Sequence, residues 1–265
     1  MTVASLGAPT RGFRRLPTTL FVVALILGLL FIDSQWMASR VPHTQWIANA
    51  CMIAAFVVIY RDAPPRLRHL MKYGVVVATV GEVVFSLLLG MYEYRLENVP
   101  VYVPPGHSIV YAAVYYFVHE PFVLRKQRLI CMVMLLLSVT YASLCLAYDH
   151  DVYGMVCTLG FLAVIAWRPD SRLFFLTMFL FVAYLEQVGT RFGCWYWHPT
   201  LLDRFAFMPS GNPPSGISIF YFGFDLGCLL AYMRRNPAIA ARWRRLRARS
   251  ARHAAGGTPG FAPAE

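Results

Sequence analysis

GEVVFSLLLGMYEY at residues 81–94 and EQVGTRFGCWYW at residues 186–197 are the two stretches that decide how this chain is read. Each sets one glutamate, Glu82 or Glu186, inside an apolar run greasy enough to be a membrane helix. Each then reaches a glycine, Gly90 or Gly193, and a triplet with an aromatic at both ends, Tyr92-Glu93-Tyr94 or Trp195-Tyr196-Trp197. A carboxylate at membrane depth costs about 2.5 kcal/mol or more unless it is protonated, paired or wetted, so an acid kept there is a functional candidate.

Outward from these stretches the composition agrees. Of 265 residues, 58% are hydrophobic and 14% charged, which places the chain among polytopic membrane proteins. At about 20 residues per spanning helix, roughly seven to nine spans fit. Apolar runs predict eight, near 17–34, 44–60, 70–91, 106–119, 129–148, 152–167, 173–190 and 215–233. The expected class is therefore all-α: a polytopic bundle of eight transmembrane helices without a separate soluble domain. Arg11, Arg14 and Arg15 before the first run resemble a signal peptide, but no small-residue cleavage site follows and a retained first helix is expected.

The net charge of +11 comes from Lys and Arg in short loops and at the two ends. Arg61, Arg66 and Arg68, then Arg125, Lys126 and Arg128, then Arg168 and Arg172 fall on the same side as both termini. The positive-inside rule makes that side cytoplasmic, with the inner membrane the expected location. Arg234, Arg235, Arg242, Arg244, Arg245, Arg247, Arg249 and Arg252 form a basic tail suited to anionic lipid headgroups, and no specific nucleic-acid partner is expected. The six cysteines carry no C-x-x-C pair. Cys194, near a loop mouth, is a weak nucleophile candidate without an activating histidine.

The two quoted stretches align at offsets of 104 residues for the glutamates and 103 for the glycines and aromatic triplets. Both are followed by a long loop ending in Pro-Pro, at Pro104-Pro105 and Pro213-Pro214, where proline suits the first turn of the next helix. We expect two parallel four-helix repeats, 17–128 and 129–233, between an N-terminal segment 1–16 and the tail 234–265. An even number of spans per repeat puts a pseudo-twofold axis along the membrane normal, with the glutamates facing each other across it.

Burial penalises the ionised form of a carboxyl group, which suits a proton donor. Asp225 in the last span, four residues after Tyr221 and seven after Ser218, is expected to join the same cavity. The plainer alternative for each acid is an interhelical hydrogen bond, and for most aromatics an interfacial belt. Tyr92, Tyr94, Trp195, Trp197 and Tyr221 are the candidates to line a site, because aromatic faces stabilise cations by roughly 0.5 to 2 kcal/mol each. A metal would have to join His107 and His198 to these acids. No H-x-x-x-H or H-E-x-x-H spacing supports one, so no metal or other cofactor is expected. Nucleotide-binding and hydrolase fingerprints are absent from the sequence.

The segment Glu186-Gln187-Val188-Gly189-Thr190-Arg191-Phe192-Gly193, followed by Trp195-Tyr196-Trp197, resembles the E-x-x-G-T-x-x-G stretch and aromatic continuation of the carotenoid hydratase family of membrane proteins. Glu82 to Tyr94 with Val99-Pro100 resembles it more faintly. The resemblance implies a cofactor-free enzyme that adds water across a terminal isoprenoid double bond, with a lipid-soluble substrate. On it Glu186 protonates the alkene, Trp195, Trp197 and Tyr92 buffer the cation, and Glu82 or Asp225 positions water or takes its proton. A proton-coupled transporter or flippase using the same acids, or a non-catalytic membrane scaffold, are the competing expectations.

Overall fold

The structure, a computed structural model, describes residues 15–237. The N-terminal segment 1–14 and the arginines from Arg242 onward lie outside the described residues. Helices come in chain order: α1 (Arg15–Ile32), a four-residue turn α2 (Gln35–Ala38), α3 (Thr44–Asp62), α4 (Pro65–Glu82), α5 (Val103–Val118), α6 (Pro121–Arg125), α7 (Gln127–Asp149), α8 (Val152–Trp167), α9 (Arg172–Arg191) and α10 (Phe220–Arg235). Among the described residues, six segments are long and apolar enough to cross a membrane: Leu16–Ala38, Thr44–Asp62, Pro65–Leu88, Gln127–Asp149, Pro169–Arg191 and Ile217–Arg235. The protein is thus a multi-pass membrane protein. The fourth and sixth expected spans, α5 and α8, are helices of 16 residues each, about 24 Å at 1.5 Å per residue and short of a 30 Å hydrocarbon core.

The long helices turn apolar side chains outward, as lipid-facing helices do. On α7, Leu129, Met132, Leu136, Leu137 and Leu144 are all exposed. The centre is held by α5, in which every residue from Ser108 to Tyr116 is buried, so this helix is apolar all round rather than amphipathic. It packs on α1, α3, α4 and α9, while α4 also packs on α10. The third helix starts at Pro65, five residues earlier than its apolar run, because Pro65 takes the first helical turn and Arg66 and Arg68 ride on the helix rather than on a loop.

Two features depart from an all-helical reading. Beyond Glu82, α4 continues as a π-helix over Val83–Leu88. The two long loops also form short ribbons. β1 (Tyr92–Tyr94) pairs antiparallel with β2 (Trp195–Trp197), and β3 (Thr200–Leu201) pairs with β4 (Phe205–Pro209). In the first ribbon Tyr92 lies opposite Trp197, Glu93 opposite Tyr196 and Tyr94 opposite Trp195, which joins the two quoted stretches directly.

Buried aspartates tie both loops down. Asp33, fully buried after α1, pairs with Arg95 at 2.6 Å and accepts from the Tyr102 hydroxyl at 2.8 Å. Asp151, also fully buried, caps α8 through the Gly154 amide and accepts the amides of Gly211 and Ser215 at 2.8 and 2.7 Å. Each therefore anchors the stretch that leads into α5 or α10. Neither stood out in the sequence. Their signal was an acid beside the end of an apolar run.

Candidate functional site

Period-two alternation along the β1–β2 ribbon decides which side chains reach the bundle interior. Tyr92, Tyr94, Trp195 and Trp197 point inward, whereas Glu93 and Tyr196 stay on the outer face, joined by a 2.5 Å hydrogen bond. Gly90 and Gly193 make the turn into the ribbon at φ of +57° and +68°, a left-handed conformation in which a side chain is strained.

Each glutamate is held by the two inward aromatics of its own stretch. Glu82 Oε2 accepts the hydroxyls of Tyr92 and Tyr94, both at 2.8 Å. Glu186 Oε2 accepts the indole N–H groups of Trp195 and Trp197, both at 2.9 Å. Hydrogen bonds to a charged group contribute about 1.5–3 kcal/mol each, so two of them offset the ~2.5–3.5 kcal/mol cost of an acid at membrane depth. Both bonds at Glu186 converge on one oxygen, which leaves Oε1 for a proton or a substrate. Gly189, one turn after Glu186 on α9, gives room to Trp195: a Cβ there would overlap the indole ring.

The register between the stretches differs by one residue, because Gly90 follows Glu82 by eight positions and Gly193 follows Glu186 by seven. The π-helix absorbs the difference. An i→i+5 turn takes up one more residue than an α turn, and Val83–Leu88 lies between Glu82 and Gly90.

His107 adds a partner that Glu186 lacks. Its Nε2 lies 3.0 Å from Glu82 Oε1 and its Nδ1 lies 2.6 Å from the Tyr221 hydroxyl, giving a line Glu82–His107–Tyr221 from α4 through α5 to α10. The sequence offered His107 only as a metal ligand beside His198. The two histidines are in fact bound to different carboxylates, since His198 Nε2 lies 3.4 Å from Glu93 on the outer face. No group of three or more metal-ligating side chains occurs among the described residues.

Glu82 and Glu186 line one cavity of about 850 Å³, together with Tyr92, Tyr94, His107, Trp195, Trp197 and Tyr221. Most of the rest of its wall is apolar, from α1 (Leu25, Ile26, Leu29), α4 and its π-helical continuation (Val77, Val80, Val84), α8 (Val156, Cys157) and α10 (Phe220, Phe224). Asp225 departs from its expected place. It is buried away from the cavity, where its Oδ1 accepts the Tyr111 hydroxyl at 2.5 Å. Phe224, in ring contact with His107, Tyr111 and Tyr221, is the neighbour on α10 that takes the wall position instead.

Cys194 is not placed as a nucleophile. It is fully buried with its thiol 3.2 Å from the Leu30 carbonyl, and burial pushes that thiol well above its ordinary range, with the Asp33 carboxylate adding to the rise.

No protein-family model, curated protein or solved structure matches the chain in comparison with known proteins.

Proposed function

We propose that the protein is an integral membrane enzyme that protonates a carbon–carbon double bond of an isoprenoid-like, lipid-soluble substrate and adds water to the resulting cation. The observation that carries this reading is the single apolar cavity in which two carboxyl groups of different surroundings meet. Glu186, held only through Oε2, gives a proton from its free oxygen to the alkene carbon. The π electrons of the double bond form the new C–H bond and leave a tertiary cation. The faces of Trp195, Trp197 and Tyr92 stabilise it. Water adds to the cation, and the Glu82–His107 pair takes the proton released from that water, as a general base within hydrogen-bond reach of its partner does. Return of a proton to Glu186 closes the cycle with one water consumed.

The two halves are, on this account, copies of one four-helix unit: α1, α3, α4 and α5 against α7, α8, α9 and α10. Three correspondences support duplication: the paired aromatic donors on each glutamate, the left-handed glycine before each ribbon strand, and the antiparallel pairing of the two strands about Glu93 and Tyr196. All eight helices then cross the membrane, with both termini on the cytoplasmic side of the arginine-bearing loops. No cofactor enters this reaction.

One observation favours a second reading. The π-helix directly after Glu82 is a helix irregularity beside an intramembrane acid, a feature also found at the sites of proton-coupled carriers.

The test is expression of the wild type, Glu82→Gln and Glu186→Gln in a host supplied with polyisoprenoids, followed by mass spectrometry of lipid extracts. The expected result is a product heavier by one water in the wild type and a loss of about a hundredfold or more in Glu186→Gln, the scale of removing a general acid. Identical lipid profiles in all three strains would refute hydration.

A further inference from the structure

If the two halves are equivalent, α1 and α7 occupy corresponding places, yet they pack differently. Helix α1 lies against α5 and α9 and so covers the seam between them. Helix α7 packs instead on α8 and α9. The corresponding seam, between α4 and α10, is not closed by α7.

The cavity wall follows this asymmetry. On the α1 side Ile26, Leu29, Leu30, Met52, Ile109 and Val110 are buried and Leu25 is half-buried. At the other seam the wall contains Val80 of α4, 58% exposed, and Val156 of α8, 50% exposed, together with the exposed Gly223 of α10. The surface around them is apolar too: Val76 and Leu87 on α4, Leu159 on α8, and Leu226 and Leu230 on α10 are exposed. An opening in such a surface meets lipid tails rather than water. Phe85 and Phe220, edge to face with ring centres 4.8 Å apart, stand at its inner side.

We infer that the substrate enters sideways from the bilayer through the gap between α4 and α8 beside α10, past Val80, Val156 and Gly223, as a long apolar chain whose leading end reaches Glu82 and Glu186. The volume sets the scale. At the roughly 30 Å³ that one liquid water molecule occupies, 850 Å³ holds on the order of 28 heavy atoms, so a longer chain leaves its trailing end among the lipid tails. This deepens the proposed function, resting on its duplication for the comparison of α1 with α7, while the route is separable from the chemistry.

The test uses dihydrophytyl bromide, a saturated isoprenoid chain with bromine at one end, which quenches indole emission on contact and offers no double bond to protonate. It is dissolved in the lipid of nanodiscs holding the full chain with Trp36, Trp46, Trp167 and Trp243 changed to Phe, so that only the cavity indoles of Trp195 and Trp197 report. Gly223→Leu is the blocking variant. A Cβ at Gly223 meets nothing within 4 Å, so a longer side chain starts into open space at the mouth, and a helical glycine is lost. Gly28→Leu on α1, where a Cβ likewise meets nothing within 4 Å, is the control.

The expected result is strong quenching in the parent and in Gly28→Leu, and a rate slowed by about tenfold or more in Gly223→Leu, as a side chain placed in an entry path obstructs it. Val80→Phe, which narrows the same mouth from α4, should slow it as well. Absence of quenching in the parent overturns the inference, as does an unchanged rate in both blocking variants or an equal slowing in Gly28→Leu. Loss of the quenching route in Gly223→Leu with no hydrated lipid from any strain would refute the proposed chemistry and leave the entry route standing.

Discussion

A carboxyl group that accepts two indole N–H groups on one oxygen is an arrangement whose parts can be removed singly. Trp197→Phe keeps a ring on the cavity wall but deletes one donor to Glu186. Because Glu186 rests as the protonated acid in the proposed cycle, the expected cost is about 0.5–1.5 kcal/mol, the worth of a hydrogen bond to a neutral group, read as a lower unfolding temperature in detergent. Gly189→Ala should destabilise by about 1–3 kcal/mol through overlap with Trp195, and it should act on the same bond. Combined with Trp195→Phe, its effect should therefore be less than additive, because both changes disturb one contact. At this scale the sequence was most informative where a residue breaks the local pattern. Glu82 and Glu186 are acids in apolar runs, and the aromatic triplets follow at fixed spacing, so both were legible. Asp225 breaks the pattern just as strongly, but helical spacing places a residue on a face without saying which neighbour fills the gap, and Phe224 takes the wall. His107 was visible only as a histidine near a helix start; that it meets Glu82 depends on how closely α4 and α5 pack, which no local signal carries.

At the scale of elements, the π-helix is the feature most open to test. It holds the extra residue between Glu82 and Gly90, and removing Val84 should turn it into an ordinary α-helix with the seven-residue spacing seen between Glu186 and Gly193. That deletion is expected to fold, with Glu82 still bound by Tyr92 and Tyr94. Deleting Val76 instead turns everything before it by about 100° relative to Glu82, since α-helices advance 3.6 residues per turn, and should abolish folding. Size-exclusion profiles and unfolding temperatures of the two variants check this. The apolar runs located the helices well, because lipid imposes length and hydropathy on any spanning segment. They missed the π segment and the ribbons. A π-turn has the same composition as the α-helix around it, and β1 and β2 are three residues each, stabilised by a partner about a hundred residues away rather than by local sequence.

For the whole molecule, the arginine-bearing loops and the ribbon loops are predicted to lie on opposite sides of the membrane. Cysteine introduced at Lys126 and at Asp203, in a chain with its native cysteines replaced, should react with a membrane-impermeant maleimide from opposite faces; labelling of both from one face would contradict the eight-span arrangement. The decisive step proposed at the site is proton transfer to carbon, which isotope incorporation reads out. The purified protein in nanodiscs is incubated with an isoprenoid alkene in deuterated water, and carbon-bound deuterium in the recovered lipid is measured by mass spectrometry and NMR. Transfer from Glu186 predicts deuterium on the carbon next to the new C–O bond in the wild type and its near-complete loss in Glu186→Gln. No carbon-bound deuterium in the wild type, or equal incorporation in the variant, would contradict it.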